Sequence, residues 1–308
     1  MKAPVDRLTK QSISWLSSHR CKHRHPYLAH FTCFLNDFPD TKLPKRVGVF
    51  SDSHCGHKAG LTPLAFQSHP SDEATDRAKR EAETRRQLWY LFKEKVDDLK
   101  PFDVVIWNGD CIDGKGSKSG GNEQITTNRL EQAEMAGLCV QECESPLNVI
   151  TMGTPYHTGD SEDFERTMDK HIKGQTIFKD HAFVDVNGCV LDCKHKIGGS
   201  TIPHGRLTAA LKEKVWADLW RDAGVNPNSN IIIRSHVHYF GHAKTSTCDA
   251  IVTPALQGLG SLYGKRQCSG IVDWGFCWID IEGPNNYEIH EYLPHKANER
   301  QKVDVIQV

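Results

Sequence analysis

The chain has 308 residues, 38% of them hydrophobic and 25% charged, with a formal net charge of -1. That length suits one large α/β domain, or one of about 250 residues with an appendage, and buries a sizeable core without covalent staples. Near-neutrality excludes a generally basic nucleic-acid coat, and no run approaches the roughly 18 to 20 apolar residues of a membrane span. Lys10, Gln11 and the nearby serines interrupt any signal-peptide core, so a cytoplasmic location and no membrane partner are expected. The eleven cysteines are odd in number and scattered, which fits reduced, buried thiols better than a disulfide framework.

Residues 1–43 are rich in His, Cys and basic side chains, and sustained periodicity begins only at Arg46-Val47-Gly48-Val49-Phe50, a buried-strand pattern. The domain boundary is therefore set near Pro44, separating a 1–43 segment from a 44–308 domain. Leu88, Leu91, Phe92 and Val96 stand at helical spacing within a predicted helix from about Ser71 to Leu99, closed by Pro101. Asp103 to Trp107 reads as the second strand, residues 114–122 as a flexible loop, and a helix follows to about Glu144. The loop does not match a phosphate-binding P-loop in its glycine and lysine spacing. Leu147 to Thr151 is a third strand, and Ala182 to Lys194 a hairpin turning at Asn187-Gly188. A long helix spans roughly Leu207 to Ala223, Ile231-Ile232-Ile233 forms a strand, and the remainder is mostly strand and turn, at Ile251-Val252, Phe276 to Ile281 and Tyr287 to Tyr292. Helices that alternate with strands early and yield to strands later predict an α/β sandwich of mixed sheets.

Short polar clusters end several of these apolar runs: Asp52-Ser53-His54, Gly109-Asp110-Cys111-Ile112-Asp113, Gly153-Thr154-Pro155-Tyr156-His157, Lys194-His195 and Ser235-His236-Val237-His238. Residues two apart at a strand end leave the same face, so Asp52 with His54, and His236 with His238, supply paired ligands. A carboxylate at Asp110 has two oxygens and can bridge ions about 3.5 to 4 Å apart. Any one cluster alone fits a strand cap or a core hydrogen bond. Their joint occurrence at successive strand ends, where ligands collect in open α/β sheets, points to two adjacent metal ions.

These residues resemble the calcineurin-like metallophosphoesterase superfamily, whose motifs run Asp-x-His, Gly-Asp-x-x, Gly-Asn-His-Asp/Glu, a lone His and Gly-His-x-His. The resemblance covers about residues 46 to 285 and implies a four-layer α/β/β/α sandwich of two mixed sheets. It also implies a 44–308 catalytic domain, in which Asp52, His54 and His238 hold one ion, Asp110 bridges, and His195 and His236 hold the second. The implied reaction is hydrolysis of phosphomonoesters or phosphodiesters by a metal-bound hydroxide attacking phosphorus in line. The ligand types suit Mn, Fe or Zn alike.

Two positions depart from the family pattern: Ser235 replaces a glycine, and the third motif reads Gly153-Thr154-Pro155-Tyr156-His157, without the asparagine that in the family ligates the second ion. His157 either fills that vacancy as a ligand or protonates the leaving group; an imidazole replaces a lost donor better than Thr154 does, which favours the ligand role. This variant resembles a phage and prokaryotic branch with Asp-x-His-Cys-Gly followed by Gly-Leu-Thr-Pro, matched by Asp52 to Gly56 and Gly60 to Pro63. Asp113 reads as a residue that orients a ligand imidazole. His57 reads first as an exposed loop histidine and second as a contact to a substrate phosphate; His204 and Arg206 form a basic pair suited to the same phosphate.

The expected function is a dinuclear-metal phosphodiesterase acting on nucleic acid or nucleotides, with a phosphomonoesterase or protein phosphatase, or a non-catalytic metal-containing binding protein, as alternatives. The nucleic-acid expectation comes from the N-terminal segment. Cys21, His25, His30 and Cys33 offer four donors for a structural zinc ion, although a basic tail with chance clustering fits the same composition. Tyr27, Phe31 and Phe34 would add stacking surfaces beside the basic side chains. Deleting residues 1–43 is expected to weaken DNA or RNA binding in a filter-binding titration; unchanged affinity would remove the segment as a nucleic-acid contact.

Overall fold

The computed structural model describes residues 43–159, 163–200, 202–258 and 272–294; the N-terminal cluster of Cys21, His25, His30 and Cys33 lies outside them. In chain order the first half runs β1 (Lys45–Phe50), α1 (Asp76–Leu99), β2 (Val104–Asn108), α2 (Arg129–Gln141), β3 (Leu147–Thr151) and β4 (Gln175–Lys179). The second half runs β5 (Ala182–Val186), β6 (Cys189–Lys196), α3 (Thr208–Asp222), β7 (Ile231–Ser235), β8 (Gly241–Lys244), β9 (Asp249–Val252), β10 (Phe276–Gly283) and β11 (Asn286–Tyr292).

The strands form a six-stranded sheet in the order β11-β10-β1-β2-β3-β4 and a five-stranded sheet in the order β5-β6-β7-β9-β8. Both are mixed. In the first, β1 to β4 are parallel while β10 pairs antiparallel with β1; in the second, β6, β7 and β9 are parallel between antiparallel edges. Two-residue alternation along each strand builds the layers. Val47, Val49, Val104 and Ile106 face Leu191, Ile231, Ile233 and Ile251 in a core between the sheets. The intervening Phe50, Val105 and Trp107 face Leu88, Phe92 and Val96 of α1 and Ala136 and Val140 of α2. On the opposite side Ile232, Ala250 and Val252 pack with Ala210 of α3. The result is the expected α/β/β/α stack.

Local chemistry sets the element ends. Thr75 caps α1 by accepting the Ala78 N–H at 3.3 Å, which starts the helix at Asp76 and not at Ser71. Asn128 accepts from Leu130 N at 3.1 Å and starts α2. Asn187 and Gly188, with φ of 54° and 87°, make the tight turn between β5 and β6. Elements that the sequence did not predict are β4, β8, a single helical turn at Pro155–Thr158, a 3-10 helix over Phe164–His171 and short 3-10 turns at Leu64–Phe66, Ser117–Ser119 and Pro203–Gly205.

Phe50 centres the helix-side core, with ring centroids 5.1 Å from Trp107, 4.7 Å from Phe276 and 5.9 Å from Phe92. Phe50→Ala is expected to lower the free energy of unfolding by about 3 to 5 kcal/mol in urea titration, with Phe50→Leu losing clearly less. Equal losses for both would mean that the ring packing contributes little.

Candidate metal centre

The candidate side chains sit just past the carboxyl ends of β1, β2, β3 and β7 and, for His195, in the last residues of β6. Asp52, His54, Asp110, His236 and His238 all have left-handed backbone, with φ between 42° and 79°. Among the described residues only Glu144 and Asn187 share this conformation without being glycine. Each such residue costs on the order of 1 to 2 kcal/mol, so backbone strain is concentrated in the site. The loops that hold it are cross-linked by main-chain bonds: Asp52 N to Gly109 O at 3.0 Å, His54 N to Asp110 O at 3.0 Å, and Cys55 N to Cys111 O at 2.9 Å.

Ligand atoms converge in three groups, each within 4.8 Å: Asp52, His54 and His238; Asp110, His195 and His236; and His54, Asp110 and His157. Asp110 belongs to two of them, which fits a carboxylate shared between two ions. His157 joins the side of His54, not that of His195 and His236. Asp52, Asp110, His54 and His195 are buried and form the floor, while His157, His236 and His238 are partly exposed and line the mouth.

Each floor histidine is held by one nitrogen, which leaves the other facing the centre. His195 Nδ1 donates to Asn108 O at 2.6 Å, and His54 Nδ1 donates to Asp113 Oδ1 at 3.1 Å. His157 Nδ1 likewise donates to the Asp113 carbonyl at 2.8 Å. The opposite nitrogens crowd together: His54 Nε2 lies 3.3 Å from His238 Nε2, and His238 Nε2 lies 3.2 Å from Asp52 Oδ1. His195 Nε2 stands 3.0 Å from Asp110 Oδ2, but the approach lacks hydrogen-bond geometry, and both His195 Nε2 and Asp52 Oδ1 are buried without a hydrogen-bond partner. Buried polar atoms are ordinarily satisfied. Two that are not, Asp52 Oδ1 and His195 Nε2, converging with four further imidazoles, fit a cation.

The electrostatics agree. Burial opposes ionisation of Asp52, yet the imidazoles of His238 and His195 outweigh it and hold this carboxyl well below its usual range. Asp110 is lowered likewise, chiefly by His195 acting against burial. Against the opposing cost of burial, Asp110 and Asp52 push His195 up to about 9. In the chain alone, protonated imidazoles therefore supply the positive charge that these carboxylates require, a role that a bound cation would take over. Burial lowers His157, favouring the neutral ring with a free Nε2, 4.0 Å from Asp110 Oδ2.

A buried polar lattice supports the ligands. Asn108 donates to Lys194 O at 3.1 Å and Ser235 Oγ at 2.7 Å and accepts from Thr151 Oγ1 at 2.7 Å. Ser235, where the family pattern has glycine, shares a 2.7 Å bond with Thr253 Oγ1, which shares another with Ser51 Oγ. The Gly153 backbone runs so close to the Asp110 carboxylate that a Cβ there would collide with it. Thr154 gives Asp110 Oδ1 both its N–H, at 2.6 Å, and its hydroxyl, at 3.1 Å. It thus acts as a donor to the shared carboxylate.

The remaining candidates fall elsewhere. His57 is buried, not exposed, and its Nδ1 accepts the Ala59 N–H at 2.9 Å, so it organises the loop after His54. His204 is exposed and belongs to none of the three ligand groups. The Arg206 guanidinium lies over the ring of Tyr239, 4.6 Å from its centroid, beside His238 in sequence. Asp113 accepts from Gln124 Nε2 at 2.5 Å as well as from His54.

Glu165 escaped the sequence reading because it stands in a polar stretch without a spacing signal. It is fully buried, and its two oxygens accept the N–H groups of Cys111 at 2.6 Å and Gly153 at 2.8 Å. Burial and nearby Asp110 push its carboxyl up to about 7. One side chain thereby clamps together the loops that carry Asp110 and Thr154.

The chain matches no protein-family model and no curated protein. Solved structures do show a likeness. Zinc-complexed wild-type Vps29 from Entamoeba histolytica is 12% identical, covering 80% of this chain and 98% of that one at a TM-score of 0.38. A novel archaeal phosphodiesterase is 13% identical, covering 80% and 99% at 0.39. A predicted phosphoesterase from Streptococcus pneumoniae is 11% identical, covering 82% and 99% at 0.34.

Glu165→Gln keeps the shape of the clamp but sets an NH2 against one of its two donors. It is expected to weaken Mn²⁺ binding about 10- to 100-fold by isothermal titration while the protein stays folded. Unchanged affinity would show that the clamp does not position Asp110.

Proposed function

We propose that this chain is a metal-dependent phosphoesterase that hydrolyses a phosphodiester, in a nucleic acid or nucleotide, using two divalent ions drawn from Mn, Fe or Zn. Asp52, His54 and His238 would hold one ion, and Asp110, His195 and His236 the other, with Asp110 shared. The observation that carries this reading is the pair of buried, unpartnered atoms, Asp52 Oδ1 and His195 Nε2, at the convergence of the ligand groups. Two carboxylates facing two divalent ions leave a net positive centre, which suits an anionic ester. Such ions, when bound, lower the pKa of water and offset charge on a transferring phosphoryl group.

The chain's own residues set the geometry. Asn108 O and Asp113 fix the floor imidazoles in the tautomer that presents Nε2. Thr154 engages Asp110 Oδ1 most closely, while Oδ2 faces His195 and His236 at 3.0 and 3.7 Å. The partly exposed His157, His236 and His238 give substrate its approach. His157 fits a ligand on the His54 side, since its anchored Nδ1 and its burial both favour a free Nε2 lone pair. The preference for nucleic acid rests on the basic 1–43 segment.

The test is hydrolysis of bis-p-nitrophenyl phosphate beside p-nitrophenyl phosphate by metal-stripped protein restored with Mn²⁺. Diester turnover should require metal and fall by about a hundredfold or more in Asp110→Asn. Monoester preference would indicate a phosphatase, and silence on both esters would favour a binding protein. In the same assay His157→Ala should lose bound metal; full occupancy with a defect largest for poor leaving groups would instead make His157 the general acid.

A further inference from the structure

α3 is turned inside out relative to an ordinary surface helix. Its core side is small: Ala210 is buried, and Ala209 and Ala217 pack against the same cluster. Its large apolar side chains point to solvent. Leu211, Val215, Trp216, Leu219 and Trp220 are 42 to 59% exposed. Leu211, Val215 and Leu219 form one i, i+4 row and Trp216 and Trp220 a second beside it, a contiguous patch of the kind that marks association surfaces.

We propose that this face pairs with the same face of a second copy, in an antiparallel two-fold dimer. The charges select that occupant. Between and beside the apolar rows the outward surface carries Lys212 near the amino end and Asp222 near the carboxyl end. Both are exposed. An antiparallel pairing centred at the level of Ala217 sets Lys212 against Asp222 of the second copy at both ends, and Val215 against Leu219 between them. A self-complementary patch of this kind is what a two-fold interface requires. The other charges along the helix are engaged locally, Glu213 with Arg234, Lys214 with Asp218, and Arg221 with Asp218; Arg221 also holds Asp222, through Oδ1 at 2.9 and 3.0 Å, so the pair across the two-fold uses the other carboxylate oxygen. Three cations and three anions along α3 cancel, whereas a helix lying on an anionic membrane needs a basic surplus.

Sedimentation equilibrium of the full chain over a range of concentrations tests this. A monomer–dimer equilibrium is expected, and Val215→Glu with Leu219→Glu should weaken it by about a hundredfold or more while circular dichroism and Mn²⁺ uptake stay unchanged. Lys212→Asp should weaken it about tenfold, and adding Asp222→Lys should restore it, because the swapped charges again oppose each other across the two-fold. Restoration would single out self-pairing from any other use of the patch. A monomer at all concentrations, with the helix covered by another segment of the chain or by a different partner, would overturn the proposal. So would a dimer indifferent to these substitutions.

Discussion

The tie between the two sheets at Asn108 is the constraint on which the site depends. Apolar packing fixes the separation of two sheets but tolerates sliding; a buried amide does not, because each misplaced partner leaves a polar group unsatisfied. Asn108 binds Thr151 in its own sheet and Lys194 O and Ser235 in the opposite one, and its carbonyl holds the ring of His195. The linked hydroxyls of Ser235, Thr253 and Ser51 carry the lattice to the loop before Asp52. Candidate ligands from β1, β2, β6 and β7 therefore meet at fixed separations, although they come from two sheets that share no ladder.

The lattice also explains how two carboxylates survive burial. Asp52 and Asp110 each lose hydration that only a nearby positive charge can replace. The backbone amide of His236 serves one oxygen of Asp52 at 3.2 Å, and Thr154 serves Asp110. Asp52 Oδ1, facing the centre, has no hydrogen-bond partner, and the nearby imidazoles offset the charge of both carboxylates electrostatically. Behind the site the described cysteines are free and buried, and burial raises the thiols of Cys111 and Cys139, so these sulfurs are packing groups and not competing ligands.

Much of this was legible in the sequence because β-branched runs and polar strand ends are local signals. Leu147 to Thr151 has the predicted bounds, and the Asn187-Gly188 turn stands where the dipeptide placed it. β4 and β8 escaped because Gln175–Lys179 and Gly241–Lys244 are short edge strands whose pairing comes from neighbours and not from periodicity. The candidate ligands could be named individually and the resemblance implied their grouping, but the place of His157 in it was not legible. Nothing in the spacing Gly-Thr-Pro-Tyr-His places His157 beside His54, and nothing local predicts that Glu165, on a 3-10 helix, reaches Cys111 and Gly153. The burial of His57 follows from a loop that folds back on itself, a tertiary outcome invisible to composition.

The left-handed backbone at Asp52, His54, Asp110, His236 and His238 sets fitness for chemistry against fitness for folding. Glycine would occupy any of those five positions more comfortably, so the sequence of highest intrinsic stability is one that has discarded its ligands. Chains drifting under selection for robustness alone would erode this loop cluster first, and their core last. Five such demanding residues in one loop cluster cost stability that a scaffold by itself does not require.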